Sequence, residues 1–112
     1  LPQANAASDQ DYMMLKADKK MHKVNFNDIS HFESSGDYVI VHLEDSKNLI
    51  VNEALKNLAL ELPEQAFMRV HKSFIISIDK LKFIEGNQIQ LATTKVPIGQ
   101  SYRDKINQSF KK

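Results

Sequence analysis

The chain reads as a mainly β domain of short antiparallel hairpins, with one short packed helix near residues 53–62 and a short helix at the C-terminal end. Three observations predict this class. In "YVIVHLE", residues 38–44, Val39, Val41 and Leu43 fall on one face and Tyr38, Ile40, His42 and Glu44 on the other, the period of a half-buried strand. "LKFIE" and "QIQLA" flank Gly86-Asn87, a two-residue hairpin signal. Only "NEALKNLALEL" shifts to a helical period, with Leu55, Leu58, Ala59 and Leu62 along one face.

In chain order, "LPQANAASDQD" is small and polar, lacks the basic-then-apolar layout of a signal peptide, and reads as a linker over residues 1–11. The domain is expected to fill 12–112. "YMMLKADKKMHKVN" gives two extended pieces around a polar turn at Asp18-Lys19. "FNDISHFESSGDYVIVHLEDSKNLIVN" supplies strands bounded by Ser-Gly-Asp and by Asp45-Ser46. For the helix, Asn52 stands where an N-cap is expected, Glu53 favours the positive end, and Pro63 stops the run. From Phe67 the period returns to two, with Ile89 and Leu91 sharing a face. Pro97 marks "KVPIG" as an edge strand, because it cannot donate to a central ladder. "SYRDKINQSFKK" predicts the final helical turns, with Ser101 as cap.

At 112 residues, with a hydrophobic fraction of 42% and a charged fraction of 26%, the chain suits one soluble domain with one core of ordinary size. No apolar run approaches the roughly 18 residues of a membrane helix, so no membrane contact is expected and the cytoplasm is the expected compartment. The absence of cysteine excludes disulfides and thiolate metal sites. The net charge of +1 hides a division: residues 1–68 balance to −5 and residues 69–112 to +6. A basic half can turn towards a polyanion while the other is repelled, although charges on solvated strand faces also segregate without function.

Enzymatic readings fail on residue supply. The three glycines, Gly36, Gly86 and Gly99, are too far apart for a phosphate-cradling loop. His22, His31, His42 and His71 show no metal-ligand spacing and read as surface or satisfied core residues. Ser34, Ser73 or Ser77 with His71 makes no specific nucleophile signal, and Glu33, Asp37 and Glu44 lack a pocket signal. No enzyme, cofactor or metal is expected.

Duplex DNA fits better, through loops. The helical segment carries Glu53, Lys56 and Glu61, which nearly cancel, so it is no basic recognition helix. The polar residues in irregular stretches are Arg69, His71, Lys72 and Ser73 in "FMRVHKSFII", Gln100, Ser101, Tyr102 and Arg103 near the end, and Ser34 to Tyr38. Lysine or arginine suits guanine acceptors or phosphate, glutamine suits adenine edges, and serine or tyrosine hydroxyls suit phosphate oxygens.

Those stretches carry a resemblance. "ISHFESSGDYVIVHL", then "LKNLALELPEQAFMRVHKSFIISIDKLKFIEG", then "VPIGQSYRDKI" resemble the LytTR (LytR/AlgR-type) DNA-binding domain over residues 12–110. The resemblance implies an elongated, mainly antiparallel β fold that inserts loops into successive major grooves. It implies a bacterial response-regulator output domain, bound at direct repeats as a dimer and preceded by a receiver domain. Carried over by motif, the DNA-contacting positions are Gly36, Asp37 and Tyr38, then Lys72 with its neighbours Arg69, His71 and Ser73, then Gln100 and Ser101 with Tyr102 and Arg103. Asp37 departs by being acidic, which leaves it a cytosine amino group or a turn-shaping role. Gln100 and Ser101 are neutral where many members carry arginine, which shifts the expected cation to Arg103. Arg69 has two readings, an ion pair with Glu33 or Asp37 and a phosphate contact, and His71 is either loop-ordering or in contact. A protein-interaction or dimerisation module without its own DNA readout is the alternative function, because a strand edge and a basic half also suit an acidic partner.

Overall fold

The computed structural model describes residues 11–92 and 94–110, so the linker expected over 1–11 lies, apart from Asp11, outside the described residues. The first hairpin pairs β1 (Tyr12–Ala17) with β2 (Lys20–Asn25) in antiparallel register. Its turn is the expected one, and both central residues take positive φ, 55° at Asp18 and 66° at Lys19. That is the type I′ arrangement, whose twist matches that of the flanking strands.

A five-stranded antiparallel sheet follows, built from β3 (Ile29–Ser35), β4 (Tyr38–Leu43), β5 (Asn48–Val51), β6 (Phe67–His71) and β7 (Phe74–Ser77). Its order is β5-β4-β3-β7-β6. Helix α1 (Leu55–Ala59) lies between β5 and β6. A smaller sheet, ordered β10-β9-β8, comes from β8 (Phe83–Glu85), β9 (Gln88–Gln90) and β10 (Lys95–Pro97), and α2 (Arg103–Ser109) ends the described chain. Gly86-Asn87 forms the turn between β8 and β9, and Pro97 falls on the outer strand β10, both as the sequence predicts.

At β6 and β7 the large sheet is buried on both faces. On one, Phe32, Val39, Val41 and Ile75 pack with Met13, Leu15 and Val24 of the first hairpin and with Leu55, Leu58 and Leu62. On the other, Met68, Val70 and Ile76 pack with Ile89, Leu91 and Val96 of the small sheet and with Ile106 of α2. This explains the unbroken apolar run in β7. Ile75 and Ile76 point to opposite faces and both find a core, whereas a strand with one wet face shows alternation, as β4 does.

Two helix readings need correction. The helix expected near 53–62 is α1, only five residues long, and its cap is Ala54 with no side-chain hydrogen bond, so Asn52 is not the N-cap. A turn in which Glu53 N–H donates to the Val51 carbonyl places Asn52 outside the helix. After Ala59 the chain tightens: Leu60, Glu61 and Leu62 donate to the carbonyls of Asn57, Leu58 and Ala59, three residues back. That spacing still delivers Leu62 to the core, so the apolar stripe is real although the α-helix beneath it is shorter. Pro63 opens the next turn, accepting from Ala66 and Phe67. At the C-terminal end Ser101 is not a cap either. It lies within a 3₁₀ turn, Gln100–Tyr102, that feeds α2 and has no side-chain cap bond.

The left-handed pair at Asp18-Lys19 makes a testable case, since a side chain in this region is strained and glycine is not. Lys19→Gly is expected to raise stability by about 0.5–1 kcal/mol, read as a higher urea midpoint with an unchanged slope.

Candidate nucleic-acid interface

The antiparallel pairings place the turns that carry the candidate residues at one end of the large sheet. Between β3 and β4, Ser35 pairs with Tyr38, leaving Gly36-Asp37 as a two-residue turn with Gly36 at φ 63°. Between β6 and β7, His71 pairs with Phe74, leaving Lys72-Ser73 as the turn. Because Glu33 pairs with Phe74, these turns emerge side by side. The Ser34 N–H donates to the Ser73 carbonyl at 2.8 Å and ties one to the other.

The third stretch joins on the outer side. Gly99 N–H donates to the Val70 carbonyl at 2.7 Å, which seats the Gln100–Tyr102 turn against edge strand β6. Only glycine fits there without a shift: a Cβ at residue 99 would lie 2.9 Å from Tyr102 Cδ2 and 3.4 Å from His71 Cα. The three stretches therefore form one continuous surface.

The second turn is internally braced. Arg69 donates through Nη2 to the Lys72 carbonyl at 2.6 Å and through Nε to the His71 carbonyl at 3.3 Å. This corrects the expected ion pair: among the described residues Arg69 makes none with Glu33 or Asp37. It holds the loop through main-chain acceptors of its own hairpin, where a register shift between Arg69 and His71 turns the strand. The Ser73 N–H donates to His71 Nδ1 at 3.0 Å, so the neutral ring carries its proton on Nε2 and orders the loop. The base is anchored in both cores at once, Phe67 in one and Val70, Ile76 and partly buried Phe74 in the other.

Lys72 is exposed at the tip and has no ion-pair partner among the described residues, and the same holds for Arg103. Asp37, Tyr38, Gln100 and Ser101 are exposed, whereas Arg69, His71, Ser73 and Tyr102 are half-buried. Of the ten candidates, six are thus exposed and four half-buried. What sequence reasoning missed is the docking at Gly99, although the isolated glycine after Ile98 was a legible signal for a close backbone approach.

Also missed was the histidine cluster on the sheet face beneath the loops. His31 and His42 stack with centroids 4.1 Å apart and planes 8° from parallel. His42 Nε2 lies 2.9 Å from Glu33 Oε1, and Ser30 Oγ lies 2.9 Å from His31 Nδ1. His31 is only 7% exposed. Burial, and secondarily the neighbouring His42, push its pKa down from 6.5 to about 4. Among the described residues no group of three or more His, Asp or Glu is disposed to hold a metal ion.

The architecture is a β sheet with a core on each side of β6 and β7 that presents three joined loops at one end. The family model described as the LytTr DNA-binding domain matches residues 19–111, and the chain belongs to that family. A solved structure shares the fold with a TM-score of 0.80 at 21% identity, covering 92% of this chain and 99% of its own. It is the LytTr DNA-binding domain of a Bacillus cereus protein described as a methyl-accepting/DNA response regulator. No curated protein matches the chain.

Two outcomes follow from this geometry. Gly99→Ala is expected to cost about 1–3 kcal/mol of unfolding free energy, because either Tyr102 or the hairpin must move; urea denaturation measures it. For His31, the unfolded chain takes up a proton near 6.5 and the folded chain only near 4, so stability falls as pH drops through that window. The loss should total roughly 3 kcal/mol and be absent in His31→Phe, as denaturation at stepped pH would show.

Proposed function

We propose that this domain reads duplex DNA by sequence, as the output domain of a bacterial transcriptional response regulator in the cytoplasm. The observation that carries this reading is the joining of three polar loops into one surface at the end of a sheet clamped from both faces. In this reading the Gly36-Tyr38 turn, the Lys72-Ser73 turn and the Gln100-Arg103 segment enter successive major grooves. Lys72, exposed in its turn, takes a guanine edge or a phosphate. Gln100 suits an adenine edge, and the hydroxyls of Ser73, Ser101, Tyr38 and Tyr102 suit phosphate oxygens. Arg103 supplies the cation of the third loop. Arg69 and His71 act chiefly by shaping the hairpin, and Asp37 accepts from a cytosine amino group or shapes its turn.

Two copies at direct repeats spaced near one helical turn, brought together through an N-terminal receiver domain, complete the proposal. The description of the Bacillus cereus relative as a response regulator supports the regulator reading, and the +6 balance of residues 69–112, which contain two of the three loops, supports attraction to a polyanion.

Selection of bound duplexes from a random pool tests the reading. Wild type should enrich a short motif, and Lys72→Ala should bind it roughly tenfold more weakly or worse, with a salt slope shallower by about one phosphate contact. A folded wild type that enriches nothing, or a Lys72→Ala form with unchanged affinity and slope, would refute the assignment.

A further inference from the structure

The face of the large sheet that carries the histidine pair holds a longer feature. Four rings stand in a row, one from each of four neighbouring strands: His42 on β4, His31 on β3, Phe74 on β7 and His71 on β6. Successive centroids lie 4.1 Å, 6.4 Å and 5.7 Å apart. One end is fixed by Glu33 on His42. The other is the ring whose Nδ1 accepts the Ser73 N–H and whose Cδ2 lies 3.5 Å from where a Cβ of residue 99 would stand. The row therefore begins in the sheet and ends where the second loop touches the third.

We infer that this ring row positions the DNA-reading hairpin, with His31 as the positioning residue that sets the tilt of Phe74 and, through it, of His71. The inference rests on the proposed DNA reading for its consequence, but its structural content does not. Ring-on-ring contacts favour specific offsets and angles, so a row spanning four strands transmits orientation in a way that interchangeable aliphatic packing does not. His31 suits the central place because it is neutral: a cation there would stand against His42 beneath the small sheet. The charged groups around it are Glu33 on β3, Glu44 beyond β4 and Lys95 on β10, which line the same cleft of about 470 Å³; Lys80, outside that lining, lies 3.9 Å from Glu44. Of these, Glu33 meets the row at its His42 end.

The test separates positioning from bulk stability. In His31→Phe the ring remains, and affinity for the selected duplex should stay within about threefold of wild type. In His31→Ala the row is broken, and that affinity should fall about tenfold while affinity for an unrelated duplex stays within twofold. Phe74→Leu, which keeps apolar volume but removes a ring, should behave as His31→Ala does and serves if the alanine form does not fold. Equal specific affinity in all forms, equal losses on both duplexes, or a phenylalanine form as weak as the alanine form would each overturn the inference. Amide exchange at Ser73 in the DNA-free chain gives a readout independent of DNA. Exchange should be about tenfold faster in His31→Ala, after correction for global stability, and unchanged in His31→Phe. Equal exchange in all forms refutes the ring row. Failure of the wild type to bind any duplex refutes the DNA reading alone and leaves this exchange result to decide.

Discussion

Everything else in this domain depends on the burial of β7 and β6 between two cores. A β-hairpin alone is marginal in water, and a hairpin that must hold a polar turn to a ligand cannot rely on its turn for order. Here the same few residues are gripped from both sides. Phe67 and Ile75 face the core shared with the first hairpin and α1; Met68, Val70 and Ile76 face the core shared with the small sheet and α2. The alternation of a strand, which elsewhere separates water from core, separates one core from the other.

That arrangement makes the polar cluster at 69–73 tolerable. Arg69, His71 and Ser73 leave the apolar environment only at the strand ends, and the side chains of Arg69 and His71 are met by main-chain partners nearby. Backbone bonds then carry order sideways, from Ser73 to Ser34 and from Val70 to Gly99. The loops are thus fixed by short main-chain contacts, and exposed side chains such as Lys72 and Gln100 remain available.

Much of this was legible in the sequence because the determinants are local. Alternation in 38–44, Gly86-Asn87 and Pro97 each state their element within a few residues, and "RVHKSF" marks the turn between β6 and β7. The helix was overextended because its apolar stripe continues to Leu62 while the backbone changes from α to tighter turns after Ala59, and a stripe cannot distinguish the two. Of the two readings of Arg69, the ion pair is not formed among the described residues; side-chain charge is visible in a sequence, and a carbonyl two or three residues away is not. The His31–His42 stack was invisible for a different reason. It depends on the register of β3 against β4, including a shift between Ile29 and His31 that no local pattern announces.

For the proposed DNA reading, the charge supply of the site argues for geometry as the source of recognition. Of the cations on the joined surface, Arg69 spends its donors on the loop's own carbonyls, which leaves Lys72 and Arg103 exposed, with Asp37 opposing them. A surface held mainly by counterion release gathers many cations and can tolerate loose loops, because phosphate attraction has little directional demand. One with few cations gains by having its donors already in place, since ordering each rotamer-rich side chain or loop on binding costs free energy that few electrostatic contacts would offset. The two-sided core, the Gly99 seat and the braced hairpin all reduce that cost before DNA arrives. Rigidity at the loop bases is therefore the counterpart of modest charge at the loop tips, and each makes sense of the other.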